Sequence, residues 1–378
     1  MDPTLRLLNA LVAVDSVNPS LVPGAAGEAA IARTLAAELQ SIGLAVHMQE
    51  VAPNRPNVIG VLAGRAPGRS LMLCGHIDTV GVAGMTRPFE PVERNGRVHG
   101  RGSQDMKSGV AAMIGATRAI AESGGLAAGQ VIVACVVDEE HASLGADALV
   151  TEWHADAAIV TEPTDLAIAV AHKGFEWVEI ETEGRAAHGS RPREGRDAIL
   201  RMGRVLAAIE ALDRRLQSGA SHPLLGSASL HASLIEGGRE LSSYPDRCVL
   251  QMERRTLPSE SVGCAGHEIE GILATLRAQD AEFRAAAKSM FARSPYEIAP
   301  THPLPRTLAS AARRAGHAST ETGMSFWTDA AILGGAGIPS VLFGPTGAGL
   351  HGLDEWVDVA SVVLCRDVLA ELIQEWCR

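Results

Sequence analysis

The sequence predicts an α/β protein: a mostly parallel-sheet domain covered by helices, interrupted by an inserted ferredoxin-like βαββαβ unit. Three observations carry that expectation. Through the first 170 residues, short apolar runs alternate with segments whose apolar positions recur every three or four residues, the pattern of a parallel sheet with helical crossovers. From about residue 173 the order changes to strand, helix, strand, strand, helix, strand, which closes as a unit of its own. Beyond Pro295, Pro300, Pro303 and Pro305 the first rhythm resumes, so residues 1–172 and 291–378 form one domain and residues 173–290 an insertion in it. At 378 residues and 46% hydrophobic content the chain is long enough for two cores, and with only 3% aromatics those cores must be aliphatic.

The elements follow in chain order. Residues 7–14 are an apolar stretch between Asp2 and Asp15, read as an amphipathic helix with no signal-peptide cleavage pattern after it. Residues 29–42 carry helical spacing, and 58–62 and 71–74 are short apolar strands. Residues 107–122 are helical, 131–137 form an apolar run typical of a strand buried on both faces, and 157–160 supply another strand. In the insertion, 175–182 alternates as a strand and 197–216 is a long amphipathic helix. Strands over 227–235 and 247–256, a helix over 259–277 and a strand over 281–290 complete it. A helix over 307–316, a strand over 340–343 and a final helix over 359–376 return to the first domain.

Composition narrows the function. A net charge of -11 with no Lys/Arg run argues against nucleic acid, whose phosphates need a basic surface. No apolar run approaches the roughly 20 residues that span a bilayer, so no membrane is expected. The six cysteines include no C-x-x-C pair and read as reduced thiols of a cytoplasmic protein.

Chemistry-bearing residues stand where strands should end. His76 and Asp78 follow the strand LMLC; two positions apart in extended chain they face one side, so Asp78 can orient His76 and raise its basicity. Asp105 lies in the glycine-rich GRGSQDMKSG at the start of a helix, where its two oxygens can bridge two cations or its side chain can serve as an N-cap. Asp138, Glu139 and Glu140 end the buried strand VIVACVV, and three adjacent carboxylates raise one another's pKa unless cations sit nearby. One of the two glutamates can ligate metal while the other faces substrate as a general base. Glu162 follows the strand AAIV, and His351 follows SVLF through GPTGAGL. All five segments meet at carboxyl ends of strands, where open α/β sheets bind ligands. A mixed histidine and carboxylate set of this size can hold two divalent cations and leave one carboxylate free.

With those residues in place, the chain resembles the dinuclear zinc amidohydrolase and metallopeptidase family of acetylornithine deacetylase, succinyl-diaminopimelate desuccinylase and carboxypeptidase G. GHIDTV, GRGSQDMKSGVAA, VVDEEHASLGA, TEPTD, AHKG, GRAAHGSRP, RTLP, WTDA and GPTGAGLHGLDEWV match family blocks in order, nearly end to end. The resemblance implies two Zn2+, with Co2+ able to substitute: Asp105 bridges both, His76 and Glu162 complete one site, Glu140 and His351 the other. It makes Glu139 the general base, Asp78 the partner of His76, and the Asp105–Met106 peptide cis. The insertion becomes a lid and dimerisation domain whose His188 reaches the neighbouring subunit's active site to stabilise the oxyanion, so a homodimer is implied. Arg255 of RTLP is implied to bind the substrate carboxylate, with Lys173 of AHKG and Ser242 as further substrate contacts. Two departures stand out: Ser242 replaces the family's usual asparagine, and Gly81 a frequent proline.

The expected activity is hydrolysis of the amide bond of an N-acyl amino acid, as a deacetylase or desuccinylase does, by metal-activated water with Glu139 as base. Cleavage of short peptides with a free carboxylate, as by a carboxypeptidase or dipeptidase, is the alternative, and a catalytically silent binding protein the non-enzymatic one. The segment GAGLHG fits the dinucleotide fingerprint G-x-G-x-x-G but lacks the following strand with its ribose-binding acid. No G-x-S-x-G elbow supports a serine hydrolase.

Overall fold

The apolar runs of the sequence become the middle of one mixed sheet. The computed structural model describes residues 2–378. These divide into two units: residues up to Val170 with Ile298–Thr322 and Thr328–Arg378, and Ala171–Glu297 with Gly323–Trp327.

In the first unit the sheet runs in the order Ala45–Ala52, Arg55–Ala63, Gln130–Val136, Ser70–His76, Ala157–Val160, Ser340–Leu342, Ile168–His172. The four strands from Gln130–Val136 to Ser340–Leu342 pair in parallel, so their carboxyl ends share one edge. Antiparallel pairs flank them on both sides. The parallel strands are buried along nearly their whole length, because helices cover both faces and every side chain has an apolar neighbour. Each fully buried Val, Leu or Ile stabilises by roughly 1.5–3 kcal/mol, which makes Leu71, Val131, Val133, Ile159 and Val341 the anchors of this layer. Lys107–Glu122, buried from Lys107 through Thr117, packs against Pro3–Val12 and Val359–Trp376.

Several elements depart from expectation. Ala45–Ala52 forms a half-exposed edge strand in a hairpin with Arg55–Ala63, turned at Asn54 (φ 61°); its mixed polarity hides it from a hydrophobic pattern. Leu144–Glu152 is a further helix. A small sheet orders Gly347–Ala348, Trp356–Asp358, Arg97–His99 and Val92–Arg94, strands of two or three residues that no periodicity can reveal. The helix expected from residue 259 begins at Cys264, after Gly263 takes a left-handed conformation (φ 85°).

The second unit is a four-stranded antiparallel sheet in the order Ser229–Gly237, Arg247–Thr256, Gly174–Glu183, Arg284–Arg293. With helices Ala198–Ser218 and Cys264–Gln279 it completes the βαββαβ order. Alternation decides which face is covered: Val178, Ile180, Leu250 and Met252 pack against Met202, Val205, Ile269 and Leu273 of the helices. Among the described residues no helix is long and apolar enough to cross a membrane.

Candidate metal centre

His76 is the last residue of its strand and is buried; its Nδ1 lies 3.1 Å from the Asp78 carbonyl and 3.5 Å from Asp78 Oδ1. Asp78 does more than orient this imidazole. Its carboxylate accepts the backbone N–H groups of Glu139 and Glu140, both at 3.2 Å, and the Asn18 side-chain amide at 2.8 Å. Burial alone would push the Asp78 carboxyl up, but the bonds from His76, Asn18 and the Glu140 amide hold it below the ordinary range.

Glu139 and Glu140 are not strand residues. Their strand ends at Val136, and Asp138 then takes a left-handed conformation (φ 69°), so a turn, and no pleat, aims the two glutamates. Asp138 itself is fully buried and bonded to Arg55 at 2.8 Å, so the three carboxylates do not form a solvated loop.

Asp105 precedes the helix Lys107–Glu122, whose N-cap is Met106 with no side-chain capping bond; the aspartate is therefore free of capping duty and points into the cluster. The Asp105–Met106 peptide is cis. Buried Glu355 holds the turn: Oε1 accepts the N–H of Gln104 (2.9 Å) and of Asp105 (3.1 Å), while Oε2 accepts Gly102 N–H (3.0 Å) and Arg101 Nη1 (2.7 Å).

Glu162 is buried two residues past its strand. Its backbone is gripped by close approach: a Cβ at Gly109 would lie 2.0 Å from the Thr161 carbonyl oxygen, and one at Gly344 2.1 Å from that of Glu162. His351 (φ 57°) sits in turns after Gly347–Ala348, and the next helix starts only at Val359. The dinucleotide fingerprint requires a helix opening at its glycines, which this segment does not provide.

The side chains converge. His76 Nε2 lies 3.1 Å from Asp105 Oδ1, 3.8 Å from Glu162 and 4.0 Å from Glu139. His351 Nε2 lies 3.3 Å from Asp105 Oδ2 and 3.1 Å from Glu140. Asp105 thus turns one oxygen to each histidine. Burial pushes Glu139 and Glu162 well above the ordinary carboxyl range against the pull of His76, and pushes Glu140 up to about 7, with the charge on Asp105 adding. Asp105 and Glu140 in turn raise His351 to about 10. This crowding of anions fits divalent cations. Ligand atoms of His76, Glu139 and Glu162, and of His76, Asp105 and Glu140, lie within 4.8 Å of one another in each set. Glu140 Oε1 is buried with no hydrogen-bond partner among the described residues. Mixed imidazole and carboxylate donors of this kind suit zinc and its neighbours.

The remaining residues belong to the second unit. His188 is exposed, its Nδ1 2.8 Å from Ser190 Oγ, and its loop is tied to the Ser242 segment by Gly189 N–H to Ser242 O at 2.7 Å. Arg255 donates to Glu253 at 2.7 Å and stacks 5.5 Å from the Phe175 ring centroid. Lys173 Nζ donates to the Ser227 carbonyl at 2.6 Å.

An α/β sheet that gathers two histidines and four carboxylates at the carboxyl ends of its parallel strands, with an independent βαββαβ unit inserted, defines a metal-dependent hydrolase. Residues 72–375 match the model of peptidase family M20/M25/M40, and the chain belongs to that family. It is 28% identical to the N-formyl-4-amino-5-aminomethyl-2-methylpyrimidine deformylase of Bacillus subtilis, over 94% of this chain and 91% of that one. It is 29% identical to an acetylornithine deacetylase of Myxococcus xanthus, over 90% of each. Among solved structures, a tripeptidase of Staphylococcus aureus shares the fold with a TM-score of 0.83 at 21% identity, over 100% of this chain and 98% of that one. A dinuclear metal binding peptidase of Bacillus subtilis does so with a TM-score of 0.76 at 17% identity, over 99% and 98%.

Proposed function

We propose that this hydrolase cleaves the amide bond of an N-acyl amino acid, using two zinc ions. The observation that carries the reading is Asp105, with one oxygen toward His76 and the other toward His351. His351 has Glu140 beside it, and His76 has both Glu162 (3.8 Å) and Glu139 (4.0 Å); the family resemblance makes Glu162 the ligand and Glu139 the extra acid. Asp105 is then the shared ligand, and Glu139 the base. Zinc, or cobalt in its place, supplies Lewis acidity and lowers the pKa of water. Glu139 takes the proton of the attacking water and returns it to the leaving amine. Asp78 holds both the His76 ring and the amides of Glu139 and Glu140 in place. The names of the relatives at 28–29% identity, a deformylase and a deacetylase, support removal of a small acyl group over peptide cleavage.

In the same reading Arg255 binds the substrate carboxylate with Lys173 beside it, Ser242 makes its substrate contact from the opposite end of the hairpin, next to His188, and His188 serves the active site of a second subunit. The edge strand Ser229–Gly237 supports a homodimer: it is exposed from His231 onward, with Leu234 and Ile235 more than half accessible, and a long open edge of this kind is a template for pairing. Six unbridged cysteines agree with a cytoplasmic location. The test is Glu139→Gln: two zincs retained and turnover nearly abolished are expected, and substantial remaining turnover overturns the assignment.

A further inference from the structure

We propose that Asn18 and Arg55 are positioning residues of the metal centre, locking the turn that aims Glu139 and Glu140. This rests on the function proposed above. Neither residue touches the cluster of proposed ligand atoms; Asn18 acts on both aspartates that hold it, Asp78 and Asp138, and Arg55 on Asp138.

The arrangement is a continuous buried chain. Asn18 is fully buried, and its one Nδ2 group donates to Asp78 Oδ2 at 2.8 Å and to Asp138 Oδ1 at 3.1 Å. Its Oδ1 accepts the Ser20 N–H at 2.8 Å, which commits the nitrogen to the two carboxylates. Backbone bonds fix the residue as well: Asn18 N–H donates to the Thr79 carbonyl at 2.9 Å, just beyond Asp78. Arg55 donates through Nε to Glu28 at 2.8 Å, through Nη2 to Asp138 at 2.8 Å and through Nη1 to Ser20 Oγ at 3.0 Å. Asp138 is the left-handed residue of the turn, and its carbonyl accepts the amides of His141, Ala142 and Ser143. Asp78 and Asp138 therefore stand on either side of the glutamate pair, and one amide group spans them.

Stability alone does not account for such a network. Glu28 and Asp138 are buried against a single guanidinium, and apolar residues of similar volume commonly serve a core as well or better. What the polar version adds is direction. Only a neutral double donor fits at position 18, since it must lie between two anions while accepting a third N–H. Only a planar fork fits at position 55, since it engages Glu28 through two nitrogens and Asp138 through one of them.

The test uses full-length Asn18→Ala, Asn18→Asp and Arg55→Lys. Zinc affinity is read by competition with a chromophoric chelator, kcat and KM are determined separately on an N-acetyl amino acid, and folded fraction is followed by circular dichroism. Asn18→Ala is expected to weaken zinc binding and lower kcat by roughly 10- to 100-fold, with KM within about twofold of wild type. Asn18→Asp, nearly the same shape but an acceptor, is expected to be at least as impaired, and Arg55→Lys to fall between it and wild type. Zinc affinity and kcat per folded molecule within about twofold of wild type in both Asn18 variants overturn the proposal. A wild-type protein without amidase activity refutes the proposed function instead, while the zinc affinities still decide the positioning role.

Discussion

Glu355→Gln removes one charge from a carboxylate that touches no ligand atom and supports one of them. In the wild type its two oxygens accept from Arg101 Nη1 and from the amides of Gly102, Gln104 and Asp105, at 2.7–3.1 Å. Glutamine fills the same volume, but whichever way its amide turns, an NH2 group faces two donors. Two bonds are lost outright and the buried Arg101 loses its counter-ion. An unsatisfied buried donor costs about 1–3 kcal/mol and breaking a buried charge pair about 3–5 kcal/mol. Because these contributions overlap at one side chain, a net loss of about 4 kcal/mol is expected. At roughly 2 °C per kcal/mol for a unit of this size, the melting temperature should fall by about 8 °C. With the remaining oxygen turned to the cationic Arg101, the NH2 group faces the Gln104 and Asp105 amides and frees them, so zinc affinity should drop as well. Differential scanning calorimetry and chelator competition read the two effects. A melting temperature within about 1 °C of wild type, with zinc affinity unchanged, refutes the claim that Glu355 holds the Asp105 turn.

Gly109→Ala places a Cβ 2.0 Å from the Thr161 carbonyl oxygen, so helix and strand must part by about 1 Å; a loss of about 1–3 kcal/mol in urea unfolding is expected, together with weaker zinc binding through displaced Glu162. His172 is fully buried and burial pushes its imidazole down from 6.5 to about 4, so between those pH values the unfolded chain binds the extra proton and stability is lost as pH falls. The full difference is roughly 3 kcal/mol, absent above pH 6.5, and His172→Phe should flatten that slope in melts between pH 7 and 4. Leu234→Asp with Ile235→Lys should shift the protein to monomer in analytical ultracentrifugation and lower turnover without removing zinc; an unchanged dimer contradicts the proposed edge pairing.

Long apolar periodicity proved the legible part of the fold. Lys107–Glu122 and Arg247–Thr256 appear with the expected bounds: the helix is a long apolar segment buried from Lys107 through Thr117, and the strand alternates buried and half-exposed residues. Gly347–Ala348 and Val92–Arg94 were illegible because two or three residues carry no period. At the site, residues that bear metal-type donors at strand ends could be picked out one by one. Their supports could not. Asn18, Arg55, Asp138 and Glu355 are polar residues whose burial is decided by long-range contacts, and a buried Arg55 reads in sequence like any solvent-facing arginine. The only local cue is Glu355, an acid four residues after His351 in the segment that leads into Trp356–Asp358. The direction of Glu139 and Glu140 is set by the left-handed Asp138, a turn that no alternation of strand residues foretells.

Amide hydrolysis by this chain is expected to depend on metal held by His76, Asp105, Glu140, Glu162 and His351. Hydrolysis of an N-acetyl amino acid should be followed before and after exhaustive dialysis against a strong chelator, and again after adding two equivalents of zinc or cobalt per chain. Loss of turnover on dialysis and its recovery with metal is the predicted result. Undiminished turnover in the chelated protein contradicts it.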